Sequence, residues 1–123
     1  MNITRIKETA HGDVVLLSLS GKMMNGPESV DLYPYVKQMI ADGKKQVIVD
    51  MGKIKWFSST GLGALMASYA SLKNAGGEMK IARPTRRIYS VFYQMELNNF
   101  FDTYDKIDDA LNAFEMSAKK PAV

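Results

Sequence analysis

Three consecutive hydroxyl residues, Ser58, Ser59 and Thr60, stand directly before Gly61-Leu62-Gly63. Upstream, Gln46-Val47-Ile48-Val49-Asp50 reads as a buried strand; downstream, Leu62 to Leu72 reads as a helix. The hydroxyls therefore fall where a helix begins. Free backbone N–H groups and a partial positive charge there favour a capping oxygen or an added anion. Two chemistries fit: N-capping, the reading for Ser58, and acceptance of a phosphoryl group. Nucleophilic catalysis fits poorly, because a serine nucleophile needs a base within hydrogen-bond reach. The single histidine, His11, falls in a turn at the other end of the expected sheet. Gly61-Leu62-Gly63 is neither a phosphate loop nor a dinucleotide fingerprint. With no cysteine and one histidine, no transition-metal site is expected. Asp102, Asp105, Asp108 and Asp109 suit a helix start better than a calcium loop. The expectation is a non-enzyme with no cofactor and no metal.

Alternating strands and helices must position this motif. Ile3 to Ile6 and Val14 to Leu19 read as strands joined by a hairpin at His11-Gly12-Asp13. Gly21 to Pro27 reads as a loop, in which Met23 and Met24 are either packed or form an adaptable contact patch. A helix is expected over 31–42, tolerating Pro34 in its first turn and ending at Gly43. Beyond the motif helix, Glu78 to Ala82 reads as a strand. Thr85 reads as the cap of a helix that buries Ile88, Val91, Phe92 and Met95. Asn98 to Phe101 reads as a last short strand. A final helix capped by Asp105 buries Ile107, Ala110, Leu111 and Phe114. Short loops between strands and helices predict an α/β fold. It is a mostly parallel mixed sheet of four to five strands, starting with a hairpin and covered by about four helices. The 123 residues form one domain, with a core over about 3–117.

The motif helix has two faces. Leu62, Leu65, Met66, Tyr69 and Leu72 form a large apolar face for the sheet. Gly63, Ala64, Ala67, Ser68 and Ser71 form a small-residue face, open to two uses: packing on a neighbouring helix or docking a partner. Asp50 reads as a cap of the turn at its strand end, and Trp56 and Phe57 as core or loop anchors. A net charge of +3 spread over small basic groups reads as solvated surface. Only Arg83, Arg86, Arg87, Tyr89 and Tyr93 resemble a nucleic-acid face, and they are too sparse for one. Neither a secretion signal nor a membrane-length apolar run is present, which fits a cytoplasmic protein with no membrane contact.

From Val14 to Phe114 the sequence resembles the sulfate-transporter and anti-sigma-factor-antagonist (STAS) domain family, in its stand-alone bacterial form. Ser20-Gly21, Val47-Ile48-Val49-Asp50, Ser59-Thr60-Gly61-Leu62-Gly63, Ala75-Gly76-Gly77 and Met95-Glu96-Leu97 before Phe100-Phe101 carry the resemblance. It implies an anti-sigma factor antagonist that works by partner switching. The unmodified protein would hold an anti-sigma factor that is also a serine kinase of the histidine-kinase-like (GHKL) ATPase type. Phosphorylation would end that complex and a phosphatase would restore it. The acceptor position is Ser59, with Ser58 and Thr60 as alternatives. The implied contact set is Met24, Trp56, Ser58, Ser59, Thr60, Gly61, Gly63, Ala64, Ala67 and Ser68. Two positions depart from the family pattern, which usually has acids where this chain has Ser58 and Met24. Those departures leave open a non-phosphorylated scaffold subunit of a larger, oligomeric signalling assembly. A small nucleotide-binding or lipid-binding domain is the other alternative.

Overall fold

Apolar residues at successive positions of Val14–Leu19 divide between two faces, as a strand covered on both sides requires. Val15, Leu17 and Leu19 enter one core, and Leu16 enters a second core on the opposite face. The computed structural model describes residues 5–23, 32–57 and 59–119; the side chains of residues 22, 23, 56, 59, 60 and 116–119 lie outside that description. Its strands are β1 (Arg5–His11), β2 (Val14–Met23), β3 (Gln46–Phe57), β4 (Glu78–Ala82) and β5 (Asp102–Tyr104). Its helices are α1 (Leu32–Ala41), α2 (Ser59–Asn74), α3 (Arg86–Gln94) and α4 (Ile107–Lys119). The sheet order is β1-β2-β3-β4-β5. β1 and β2 form an antiparallel hairpin, and every other pairing is parallel.

The larger core joins one sheet face to α1, α2 and α3, through Leu32, Val36, Leu62, Leu65, Leu72, Ile88 and Phe92 among others. The smaller core joins the other face to α4, where Leu16, Ile48 and Ala82 meet Ala110 and Phe114. Lys80 is buried on that second face. Its ammonium group reaches Asp102 at 3.2 Å and lies over the rings of Tyr104 and Phe114. Helices α1 and α2 end in the same way. Lys44 N–H donates to the Met39 carbonyl and Gly77 N–H to that of Leu72, with Gly43 and Gly76 in the left-handed region. Glycine suits that closure because it has no Cβ to clash.

Several boundaries differ from the sequence reading. β2 runs on to Met23, so Gly21–Met23 are strand rather than the start of the loop, and α2 begins at Ser59 rather than Leu62. β1 extends to His11 instead of ending near Ile6, and Ile3 lies outside the described residues. β3 continues past Asp50 to Phe57, because two register shifts keep it paired with β2 as far as Met23. The last strand starts at Asp102, since Phe100 N–H closes a turn onto the Leu97 carbonyl and both phenylalanines pack on Tyr69. Met95 is exposed, because α3 stops at Gln94 before its stripe reaches that position. Thr85 caps α3 as expected, its hydroxyl accepting from Ile88 N–H at 3.3 Å.

Outside the cores, Glu8 of β1 accepts from both Lys44 and the Tyr35 hydroxyl. The hydrogen bond to Lys44, then that to Tyr35, lowers the Glu8 carboxyl below its usual value. Bonding to Glu8 raises the Tyr35 phenol from 10.0 to about 12. A raised phenol contributes stability that is fully present below its unfolded value and is lost as the pH climbs to the folded value. Thermal melts from pH 9 to 12 should therefore fall between pH 10 and about 12. Tyr35→Phe should flatten that part of the profile; an unchanged slope would exclude the assignment.

Candidate functional site

The junction between β3 and α2 lies where the parallel strand β3 ends, the edge at which open α/β sheets usually bind. Helix α2 begins at Ser59, and its first turn contains no acid. Its N-terminal partial charge is therefore not offset by a side chain from that turn. Ser58 and Met24 lie outside the described residues, as do the side chains of Trp56, Ser59 and Thr60.

Phe57, two residues before Ser59, ties this junction to the core. Its ring meets Phe92 of α3 edge-on at 6.1 Å, and Phe92 continues to Phe101 at 5.1 Å. Tyr69 of α2 joins the same cluster against Phe100 and Phe101. Aromatic packing of this kind holds the start of α2 at a fixed place. The anchor role expected of Phe57 is thus observed.

Among the small residues of α2, Gly61 is buried, Gly63 is exposed, and Ala64 and Ala67 are half-buried. Ser68 corrects the sequence reading. It is fully buried on one stripe with Leu65 and Leu72, at helical spacings of three and four, and its hydroxyl donates to the Ala64 carbonyl at 2.8 Å. Ser68 therefore cannot line a docking face. The outward small stripe is instead exposed Gly63, half-buried Ala67 and exposed Ala70, the last a residue the sequence reading missed. Part of the small-residue helix does pack internally, since α1 lies along α2. A second exposed group lies on and beyond α3: Tyr89, Tyr93, Met95 and Phe100.

Asp50 also differs from its expected role. Its carboxylate does accept the nearby Gly52 N–H at 3.0 Å, but it is buried in mid-strand and holds the Arg83 guanidinium through two bonds of 2.8 and 2.7 Å. Arg83 is therefore not simply solvated surface. Its backbone is left-handed (φ 53°), and its N–H donates to the Tyr104 carbonyl at 2.7 Å. Gly52 gives the guanidinium room, since a Cβ there would come within 2.7 Å of it. Sequence spacing could not reveal this pair, because the partners are 33 residues apart. Arg83→Ala leaves a buried carboxylate without its cation and should cost about 2 kcal/mol, below the range for fully buried pairs because the arginine is partly exposed. Urea unfolding measures this. Asp50→Asn in the Arg83→Ala background should recover part of the loss; an additive further loss would contradict the pairing argument.

His11 lies at the hairpin turn, paired with Val14, at the end of the sheet away from the α2 start. There it borders an open groove of about 840 Å³ with Asp13, Gln46 and Asp108. Among the described residues, no group of three His, Cys, Asp or Glu could hold a metal ion. No helix among them is long and apolar enough to cross a membrane.

The STAS domain sequence profile matches residues 5–110. No curated protein sequence matches the chain. Several solved structures share its fold. An anti-sigma factor antagonist from Mycobacterium paratuberculosis is 22% identical, with a TM-score of 0.77 over 91% of this chain and 94% of that one. The Bacillus cell-fate determinant SpoIIAA in its phosphorylated form is 14% identical, with a TM-score of 0.70 over 90% and 98%. A sulfate transporter family protein from Wolinella succinogenes is 15% identical, with a TM-score of 0.73 over 91% and 93%. At these identities the likeness concerns the fold alone.

Proposed function

The chain belongs to the STAS domain family, and on that basis we propose that it is an anti-sigma factor antagonist whose binding is switched at Ser59. In this reading it captures a cytoplasmic anti-sigma factor that is also a GHKL-type serine kinase. The kinase transfers the γ-phosphoryl group of ATP to the Ser59 oxygen, releasing ADP and ending the complex. A phosphatase hydrolyses the ester and restores binding.

The observation that carries this reading is the position of Ser59 at the first residue of α2, in the sequence Ser59-Thr60-Gly61-Leu62-Gly63 at the end of β3. A phosphoryl group adds roughly −1.5 to −2 charges at neutral pH. At a helix N-terminus with no acid in its first turn, that charge is favourable within the domain. Inside a closed interface it is unfavourable, because it loses water and meets whatever acid or apolar surface the partner presents. The fold is thus expected to survive the modification that ends binding. Exposed Gly63, with half-buried Ala64 and Ala67, lets a partner's backbone approach α2 closely. Phe100, exposed beside Tyr69, extends that surface with aromatic area.

Affinity capture from the native host, followed by intact-mass measurement of the released chain, tests the reading. The expected result is an anti-sigma factor of the kinase type in the captured complex, with the bound chain unmodified. Capture of a chain that is phosphorylated while still bound would overturn the switch.

A further inference from the structure

The long edge of the sheet carries features that the α2 site does not use. β1 is seven residues long and pairs only with β2 among the described residues, so its outer backbone N–H and C=O groups have no strand partner. The opposite edge, β5, has three residues. The register places Arg5 beside Ser20 and Lys7 beside Ser18, while Thr9 pairs with Leu16. Leu16 packs against α4, so Arg5 and Lys7 project on the α4 face of the sheet. Helix α4 covers that face over Leu16, Ile48 and Ala82, leaving Arg5 and Lys7 exposed. Ser20 also pairs with Lys53 of β3, so Arg5, Ser20 and Lys53 form one row across three strands. Lys53 and Lys55 are exposed as well. Arg5, Lys7, Lys53 and Lys55 have no ion pair among the described residues. In the row that runs from Lys7 through Ser18 to β3, the acid Asp50 is already paired with Arg83.

We infer that β1 is a second docking edge that accepts an extended acidic polypeptide segment as a sixth strand, with acidic side chains at alternate positions over Arg5 and Lys7. The period of two follows from strand geometry: the two cations share a face, and Ile6 between them points to the other. The intervening side chains of the added strand meet half-buried Ile6 and exposed Ala10, so they are apolar. Glu8 on that second face is already engaged by Tyr35 and Lys44 and does not repel the acidic strand directly. An unpaired backbone edge selects an extended polypeptide, because only another strand can match its row of donors and acceptors. Among the described residues, the exposed large apolar ones, Tyr89, Tyr93, Met95 and Phe100, belong to α3 and the segment after it, so β1 supplies neither a membrane wedge nor a stack for bases. A second copy of the same edge would bring its own cations.

The test uses the full chain and a blocked seven-residue peptide of alternating Glu and Val. Its controls are the Lys/Val counterpart and the Glu/Val peptide N-methylated at alternate amides. Saturable binding of the Glu/Val peptide is expected, with amide-exchange protection confined to Arg5–His11. Both controls should bind at least about tenfold more weakly, as should the Arg5→Glu/Lys7→Glu double variant, whose fold is checked by circular dichroism. Equal binding of the Lys/Val peptide, or unchanged exchange along β1, would overturn the inference. So would anionic phosphatidylserine vesicles or random duplex DNA binding through Arg5 and Lys7 when the Glu/Val peptide does not. None of these outcomes depends on Ser59.

Discussion

Ser59→Asp is expected to weaken the complex with the anti-sigma factor by at least about 100-fold, while Ser59→Ala changes it by less than about threefold. The asymmetry is the informative part. Ser59 begins α2 and the first turn of that helix has no acid of its own, so an added carboxylate is compatible with the folded chain. Ser59→Asp should therefore keep its melting temperature, or gain slightly, while losing its partner. Alanine removes a hydroxyl but adds no charge, and Ala64 and Ala67 already give this helix a small, uncharged surface. A calorimetric titration of both variants reads the difference. Loss of binding in both would make the hydroxyl a contact rather than a switch. Retention in both would place the partner elsewhere on the domain.

The second large effect concerns stability. Phe92→Ala should cost about 3–5 kcal/mol, because it deletes a fully buried ring and leaves a cavity. Phe92 is also the ring that links Phe57, next to the candidate site, to Phe101. For a chain of this length the loss corresponds to a drop of roughly 10–20 °C in melting temperature. Phe92→Leu keeps most of the volume and should cost only about 1–1.5 kcal/mol. Chemical denaturation of both variants separates cavity formation from a general intolerance of substitution. An alanine variant as stable as the parent would mean that the aromatic cluster does not hold the β3–α2 junction. Faster amide exchange around Phe57 in Phe92→Ala is the expected link between this core and the site.

Local patterns made much of this architecture legible. The apolar run Val14–Leu19 is covered on both faces, and Thr85 caps α3 where its position before an apolar stripe predicts a cap. The end of α1 at Gly43 is readable because glycine there releases a backbone constraint that other residues resist. What remained hidden depends on contacts distant in sequence. β3 reads as ending at Asp50 because Gly52, Lys53 and Lys55 interrupt its apolar run; pairing with β2 through shifted registers carries it further. The Asp50–Arg83 pair depends on β4 delivering a left-handed arginine beside β3, which no periodicity encodes. By its size Ser68 reads as part of the small-residue face, which sequence alone leaves open between packing and docking. It lies inside because its hydroxyl finds the Ala64 carbonyl, which removes the penalty for burying it. The start of α2 was legible as a helix start, from its hydroxyls and glycines after an apolar strand. Its tie to the core through Phe57 and Phe92 became visible only in three dimensions.

The most direct measurement is phosphopeptide mapping of this chain after incubation with its native anti-sigma factor and ATP, with the complex followed in parallel by size-exclusion chromatography. The account predicts one phosphoryl group, carried by Ser59, appearing as the complex dissociates. A chain that stays unmodified, or that is modified while remaining bound, would contradict it.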